Sequence, residues 1–547
     1  MTHPGAKRRG SSAGGVVHNV PDPVDAVNPE VLIVGAGPTG LVAAILLGSV
    51  GVHTLVVERN PTTSDEPKAV TIDDVALRIL QRAGVAPAIY PAILPGTGTK
   101  YYGRRGQLLA YARGAWPPRY GHPVKNPFQQ PELERTLLAC ARRFETVEVR
   151  FSTAFEALEQ DAEGVTATLA GAEPVRGQFL LGCDGGRSTV RGRLGLTMAG
   201  SSFREPWIVI DTVNDRHDQR FAMHHGDPTR PHVIVPGRDG CCRYEFLLLP
   251  GDAEEDPSFE FVRTLLAPFR PVEPRDVIRR TVYTFHALLA DRWRAGRCFL
   301  LGDAAHMMPP FAGAGLNTGI RDADNLTWKL VLALRGTAGV RLLETYEAER
   351  RPYAEAIVRL SVRLGKVMMT TSPLRATIRD VLVAAANRWP RARRYLAEMR
   401  FRPEQTCRGG FVVLDGRVPA VGRALPQPNV LSDDGREVPL DDLLGAGFAL
   451  LAIDPAVDDP FAALTHPLWE RIAARRLAIV LGDRAPGRDP RRVADLDGRL
   501  ASFLGTGSRL VLVRPDRFVA AAFGATDEGH VAARLGELLG GPGALGG

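Results

Sequence analysis

The stretch Val31-Leu-Ile-Val-Gly-Ala-Gly-Pro-Thr-Gly40, with Glu58 beyond it, constrains this chain more than any other. Its apolar start predicts a buried strand, its glycines a tight turn, and the run Leu41 to Val50 a helix ending at Gly51. Thr54 to Val57 reads as a second strand, with Glu58 at its end. This order and spacing form a dinucleotide-binding fingerprint. Gly35 permits the turn, Gly37 lets the backbone approach a pyrophosphate, and Gly40 lets the helix pack against the strand. The amides and dipole of the first helical turn, which holds Pro38 and Thr39, would carry phosphate charge. Glu58 would accept hydrogen bonds from a ribose diol.

A chain of 547 residues exceeds what one hydrophobic core sustains, so several domains are expected. No charge-free apolar run reaches membrane-spanning length, and no apolar segment follows Lys7, Arg8 and Arg9 as in a secretory signal. The six cysteines show no C-x-x-C spacing, which fits a reducing cytoplasm without disulfides. The net charge of +7 comes from arginines interleaved with Asp and Glu. The densest cluster, Arg388, Arg391, Arg393 and Arg394, reads as a solvated helix face, so neither a nucleic-acid nor a membrane partner is expected. His224 and His225 lack further ligands at metal spacing, so no metal is expected.

Residues 1–28 are rich in Gly, Ser and Pro without periodicity, and are expected to form a disordered leader. A nucleotide domain should begin over 29–204, with helices near Asp73 to Ala83 and Pro131 to Phe144. The alternating stretches Val147 to Phe151 and Gly164 to Leu169 read as an antiparallel pair. Strand-like runs through 205–285 predict an inserted antiparallel sheet, after which the nucleotide domain resumes over 286–365. A helical connector (366–404), a last α/β unit (405–540) and a frayed tail (541–547) complete the chain.

Two further glycine–acid motifs follow the logic of the first. Cys183-Asp184-Gly185 and Gly302-Asp303 each end a predicted strand, where an aspartate can accept hydrogen bonds from ribityl hydroxyls. The glycine-rich run Gly313 to Gly319 opens a long helix, whose positive end would face the N1–C2=O edge of a flavin. Three such motifs in this order point to resident FAD. No second G-x-G-x-x-G follows a strand, so NAD(P)H is expected as a transient co-substrate.

On these motifs the chain resembles the class A flavoprotein aromatic monooxygenases, the family of p-hydroxybenzoate and phenol hydroxylases. Pro67-Lys-Ala-Val-Thr-Ile-Asp-Asp-Val-Ala-Leu-Arg78, Asn126-Pro-Phe-Gln-Gln-Pro-Glu-Leu-Glu134 and Arg514-Pro-Asp-Arg-Phe-Val-Ala520 are similar to its 3-(3-hydroxyphenyl)propionate hydroxylase branch. The resemblance implies an α/β fold: a Rossmann-like FAD-binding domain, an inserted antiparallel-sheet substrate domain and a C-terminal thioredoxin-like domain. It implies Glu58 and Arg59 at the adenosine ribose, and Lys68 and Gln130 along the FAD chain. Asp184 would serve FAD and nicotinamide, and Gly302 and Asp303 the ribityl group. Pro309, Pro310, Gly313, Gly315, Leu316 and Asn317 would line the isoalloxazine, within an apolar surround that includes Met307, Met308 and Phe311.

The implied reaction uses NAD(P)H and O2 to hydroxylate a phenolic or polycyclic aromatic through a flavin C4a-hydroperoxide, in a monomer or homodimer. Epoxidation or Baeyer–Villiger insertion by a natural-product tailoring enzyme is the alternative within that chemistry. A non-catalytic FAD-binding protein is a third reading, and the lack of Trp-x-Trp-x-Ile-Pro argues against a halogenase. His306 is the candidate base, with Pro309 in the flavin surround. Two departures stand out. The branch usually has Arg-Ala-Val-His where this chain has Lys68-Ala69-Val70-Thr71, and Phe-His-Gln where it has Phe128-Gln129-Gln130. Both changes fall near the flavin and its access route, so cofactor use is expected to survive whereas a simple phenylpropionate is not the expected substrate.

Overall fold

The computed structural model describes residues 28–540 apart from 66–67, 204, 253–255, 415–417, 463, 482–490 and 506–508. Apart from Asn28, the expected leader lies outside the described residues, as does the tail. A six-stranded sheet forms the first layer, in the order Arg294–Ala295, Cys298–Leu300, Phe179–Gly182, Val31–Val34, Thr54–Val57, Val147–Arg150. Val31–Val34 is fully buried between two parallel neighbours, which is why its sequence is apolar without alternation. The helices Pro38–Gly48 and Gly315–Leu334 pack against each other beside it, and the former buries Leu41 through Ile45.

The expected pairing of 147–151 with 164–169 is corrected. Val147–Arg150 is a parallel edge strand beside Thr54–Val57. Val165–Leu169 pairs instead with Phe155–Gln160 and Val175–Gly177 in a small antiparallel sheet. Alternation reports that one face of a strand is buried, and both arrangements bury one face.

The inserted sheet has seven strands, in the order Val277–Tyr283, Trp207–Thr212, Cys242–Leu247, His232–Pro236, Ala222–His225, Thr99–Tyr102, Leu108–Ala112. It therefore reaches beyond 205–285 and recruits two strands from the first part of the chain. The junction of Ala222–His225 with Thr99–Tyr102 is parallel, which departs from the expected antiparallel pattern. Helix Phe259–Leu266 covers one face, over Tyr244 and Phe246. The other face packs Trp207, Val233 and Leu247 towards Phe311, Met368 and Met369. Because side chains alternate along a strand, Tyr101 lies on the Phe311 side and Tyr102 on the other, with His224 against Tyr101 and His225 stacked on Tyr102.

Helices Val340–Met368, Pro373–Ala386 and Pro390–Ala397 lead to a second seven-stranded sheet. In it Arg492–Asp495, Arg475–Leu481 and Ala449–Ile453 run parallel, Arg509–Val513 pairs antiparallel with Ala449–Ile453, and Val519–Phe523 pairs antiparallel with Arg509–Val513. Helix Glu528–Leu539 closes this unit. Arg78 locks it to the nucleotide domain, its Nε and Nη2 each donating at 2.7 Å to Asp441. All six cysteines are free, and no described helix is long and apolar enough to cross a membrane.

Candidate active site

A cleft of about 300 Å³ opens at the carboxyl ends of the three central parallel strands. The fingerprint glycines border it for three different reasons. Gly35 has φ +106°, and a methyl group there would stand 2.5 Å from the Cys183 carbonyl oxygen. A methyl on Gly40 would meet the Gly35 carbonyl oxygen at 2.0 Å, so helix and turn touch at this point. At Gly37 a methyl would meet nothing within 4 Å and would enter the cleft.

Pro38, Thr39, Glu58, Arg59, Lys68, Gln130 and Asp184 line the same cleft. Glu58 accepts from the Ala36 and Asn60 amides at 3.0 and 2.9 Å, which fixes its carboxylate at the strand end. Asp184 Oδ2 accepts from the Val190 amide at 3.0 Å, whereas Oδ1 is buried with no partner among the described residues. Such an orphan acceptor is costly unless a ligand supplies a donor. Gln130 Oε1 accepts from the Lys68 and Ala69 amides at 2.8 and 2.6 Å, and its Nε2 donates to Glu134 at 2.6 Å. Its amide therefore shapes the Lys68–Thr71 segment.

Asp303 faces the cleft near Gly315 and Leu316, with no hydrogen-bond partner among the described residues. The surrounding protein raises its pKa, against the pull of His306 and Lys68. The turn that carries it, Gly302–Ala304, is held from behind by Asp322. Asp322 accepts from the Gly302 amide at 3.1 Å, from His306 Nε2 at 2.7 Å and from Arg350 Nε at 2.8 Å. Burial alone would raise the Asp322 pKa, but His306 and Arg350 bring it below the ordinary carboxylate range. Gly302 itself, at φ +60°, approaches Thr39, where a methyl would stand 2.9 Å from Oγ1.

This geometry corrects the expectation for His306. Its imidazole is 0% exposed, packed 5.2 Å from the Trp293 ring and bonded to Asp322. A base must reach the proton it removes, and this one faces away from the cleft. Asp322 and Arg350 were not foreseen from the sequence. The available signal was a charged run, Arg321-Asp-Ala-Asp324, in a helix that has to be buried.

Pro309, Pro310, Gly313 and Asn317 lie beyond the cleft wall proper. Asn317 Nδ2 donates to the carbonyls of Thr71 and Gly313 at 3.0 Å each, and Oδ1 accepts from the Asp73 amide at 2.9 Å. Its side chain is thus spent pinning the Gly313 turn to Thr71 and Asp73. The first-turn amides of helix Gly315–Leu334 have no acceptor within their own helix and adjoin Asp303.

Past that turn lies an aromatic cluster. The Phe311 ring meets Trp207 at 5.5 Å, Phe285 at 5.7 Å and Phe203 at 5.9 Å. Tyr101 and His224 face it from the sheet, 5.1 Å apart. Burial pushes the His224 pKa down to about 3, helped by Lys125 and His225, so the ring is neutral. A methyl on Gly313 would stand 2.7 Å from Thr71 Oγ1 and 2.9 Å from Lys125 Nζ.

Residues 28–361 match the family model described as FAD binding domain, and 422–538 match the HcaD C-terminal domain. The 3-(3-hydroxy-phenyl)propionate/3-hydroxycinnamic acid hydroxylase of Mycolicibacterium smegmatis is 39% identical over 511 residues, covering 90% of each chain. That of Klebsiella pneumoniae is 37% identical over 508 residues, covering 90% of this chain and 91% of its own. Among solved structures, aklavinone-11 hydroxylase in complex with FAD and aklavinone has a TM-score of 0.76 at 26% identity, over 93% of this chain and 99% of that one. The OxyS anhydrotetracycline hydroxylase from Streptomyces rimosus has a TM-score of 0.75 at 28% identity, over 94% and 100%.

Proposed function

Because this chain belongs to the FAD-binding-domain family and is an FAD-dependent aromatic monooxygenase, we propose that it hydroxylates a phenolic acid at the Phe311 cluster. The observation that carries this is a juxtaposition. A cleft with open space over Gly37 and a donorless acceptor on Asp184 ends at Asp303 and Gly315, four residues from Phe311. These residues fit FAD. Bound FAD supplies the redox chemistry, accepting a hydride from NAD(P)H and activating O2.

The rest is the work of the protein. The start of helix Pro38–Gly48 holds the pyrophosphate, with Gly37 giving it room. Glu58 and Asp303 line the cleft, where Glu58 would accept from the adenosine ribose and Asp303 from ribityl hydroxyls. The first turn of helix Gly315–Leu334 places positive charge at the ring end. Gln130 orders the Lys68–Ala69 segment, which would border the ring. Phe311, Trp207, Met368 and Met369 exclude water from the reacting carbon. In balance, substrate, O2, NAD(P)H and a proton give hydroxylated substrate, NAD(P)⁺ and water.

The named relatives favour a phenolic acid, so 3-(3-hydroxyphenyl)propionate is the first probe. We also read the C-terminal unit as thioredoxin-like. Parallel strands flanked by an antiparallel pair and closed by a helix support this. It has no C-x-x-C, so its role is structural. Purified protein should be yellow, and 3-(3-hydroxyphenyl)propionate or a related phenol should accelerate NAD(P)H oxidation and gain one oxygen by mass. A protein that retains no FAD, or whose NAD(P)H oxidation responds to no phenol, would sink the proposal.

A further inference from the structure

We infer that Lys125 anchors an anionic oxygen of the aromatic substrate beside the Gly313 turn, as a specificity-determining residue of the hydroxylation proposed above, on which this inference rests. The pairing of Thr71–Ile72 with Asn126–Pro127 carries Lys125 to this point. Its ammonium lies against the Gly313 turn, 2.9 Å from where a Gly313 methyl would stand, and Thr71 Oγ1 lies against the same point at 2.7 Å. It donates to no acceptor among the described residues.

The neighbouring groups leave the charge unanswered. Asp73 is the acid whose field reaches Lys125, but its carboxylate already bonds Arg321 at 2.8 Å and caps the Ala76 amide at 3.0 Å. Arg402, which donates to the Ala312 carbonyl at 2.9 Å, is a second cation. From the sheet, His224 is neutral, and Tyr101 is a phenol whose pKa burial raises further. Lys125 is thus a cation without a counterion, at the edge of an aromatic cluster that offers apolar contact. A desolvated cation of this kind is costly until an anion joins it.

Burial, with Arg402 in support, lowers the Lys125 pKa to about 7 against the attraction of Asp73. That value separates the two oxygens an aromatic acid phenol could present. A carboxylate pairs with the ammonium form, so its affinity falls as pH rises past about 7. A phenol must ionise to pair. Below about pH 7 it releases a proton to solvent and its affinity rises with pH. Above that value its proton passes to neutral Lys125, and affinity levels off.

The test uses FAD-loaded wild type, Lys125→Met and Lys125→Arg, with FAD content and melting temperature as controls. Binding is read from perturbation of the flavin absorbance across neutral pH. The probes are 3-(3-hydroxyphenyl)propionate, its methyl ester, and 3-phenylpropionate. Lys125→Met should weaken binding of the first probe about tenfold or more, and Lys125→Arg should restore most of it. The penalty should vanish for the ester if the carboxylate is held, and for 3-phenylpropionate if the hydroxyl is held. Equal losses for all three probes, no loss, or an altered flavin spectrum without ligand would each overturn the anchor. So would a wild type that binds none of them, even if another phenol stimulates its NAD(P)H oxidation. Absence of FAD, or of any stimulated oxidation, would instead overturn the function.

Discussion

Arg514 of the C-terminal sheet meets Glu349 of the Val340–Met368 helix at 2.6 Å, and both side chains are 0% exposed. Lys329 donates to the same carboxylate at 3.0 Å and Asn325 at 2.7 Å, while Asp516 takes the other side of Arg514 at 2.6 Å. The network ties helices Gly315–Leu334 and Val340–Met368 to the C-terminal sheet.

Breaking such a network strands a buried charge. Glu349→Gln should cost about 3–5 kcal/mol, read by chemical denaturation. Burial alone would raise the Glu349 pKa, but Arg514 and Lys329 hold it well below the usual range. Its stabilisation is therefore complete above the unfolded value of about 4.3 and fades as pH falls towards the folded one. Wild type should lose stability in that acidic window, and the variant should lose much less there.

Two glycines three residues apart should fail in opposite ways. Gly37→Val has space in the protein and should fold with near-native melting, yet purify without FAD. Gly40→Ala drives a methyl to 2.0 Å from the Gly35 carbonyl oxygen and should destabilise the fold itself. Overpacking costs about 1–3 kcal/mol, or more where only backbone can yield. The ratio of flavin to protein absorbance, with melting curves, separates the two.

Asp303→Ala should weaken FAD binding about tenfold by removing charged acceptors. The same change should leave the apoprotein as stable or more stable at neutral pH. Its carboxyl has a raised pKa in the fold, so ionising it there opposes folding, and the alanine variant lacks that opposition. A fall in apoprotein melting temperature would contradict this reading.

His306→Phe removes a donor to Asp322 while the Gly302 amide and Arg350 remain. We expect about 1–3 kcal/mol of lost stability and looser FAD retention, since Asp322 positions the turn bearing Asp303. The pH–rate profile of the loaded enzyme should keep its shape. A lost limb would restore His306 as a base.

The nucleotide fingerprint was legible in the sequence because its determinants are local. Gly35, Gly37 and Gly40 act through backbone geometry within a single turn, and Glu58 ends the very next strand. The glycine–acid motifs at Asp184 and Asp303, the long helix after Gly313 and the strand-rich insertion were legible for the same reason.

Only the tertiary structure decided the partners. Periodicity tells which face of an element is buried and is silent on what covers it. Hence Val147–Arg150 joined the parallel sheet, Thr99–Tyr102 joined the inserted one, and His306 turned to Asp322. The same holds for Lys125, whose place beside Gly313 depends on two distant segments meeting at Thr71. The local chain specified which cofactor it could cradle; long-range packing selected the side chains that stand around the cleft and the Gly313 turn.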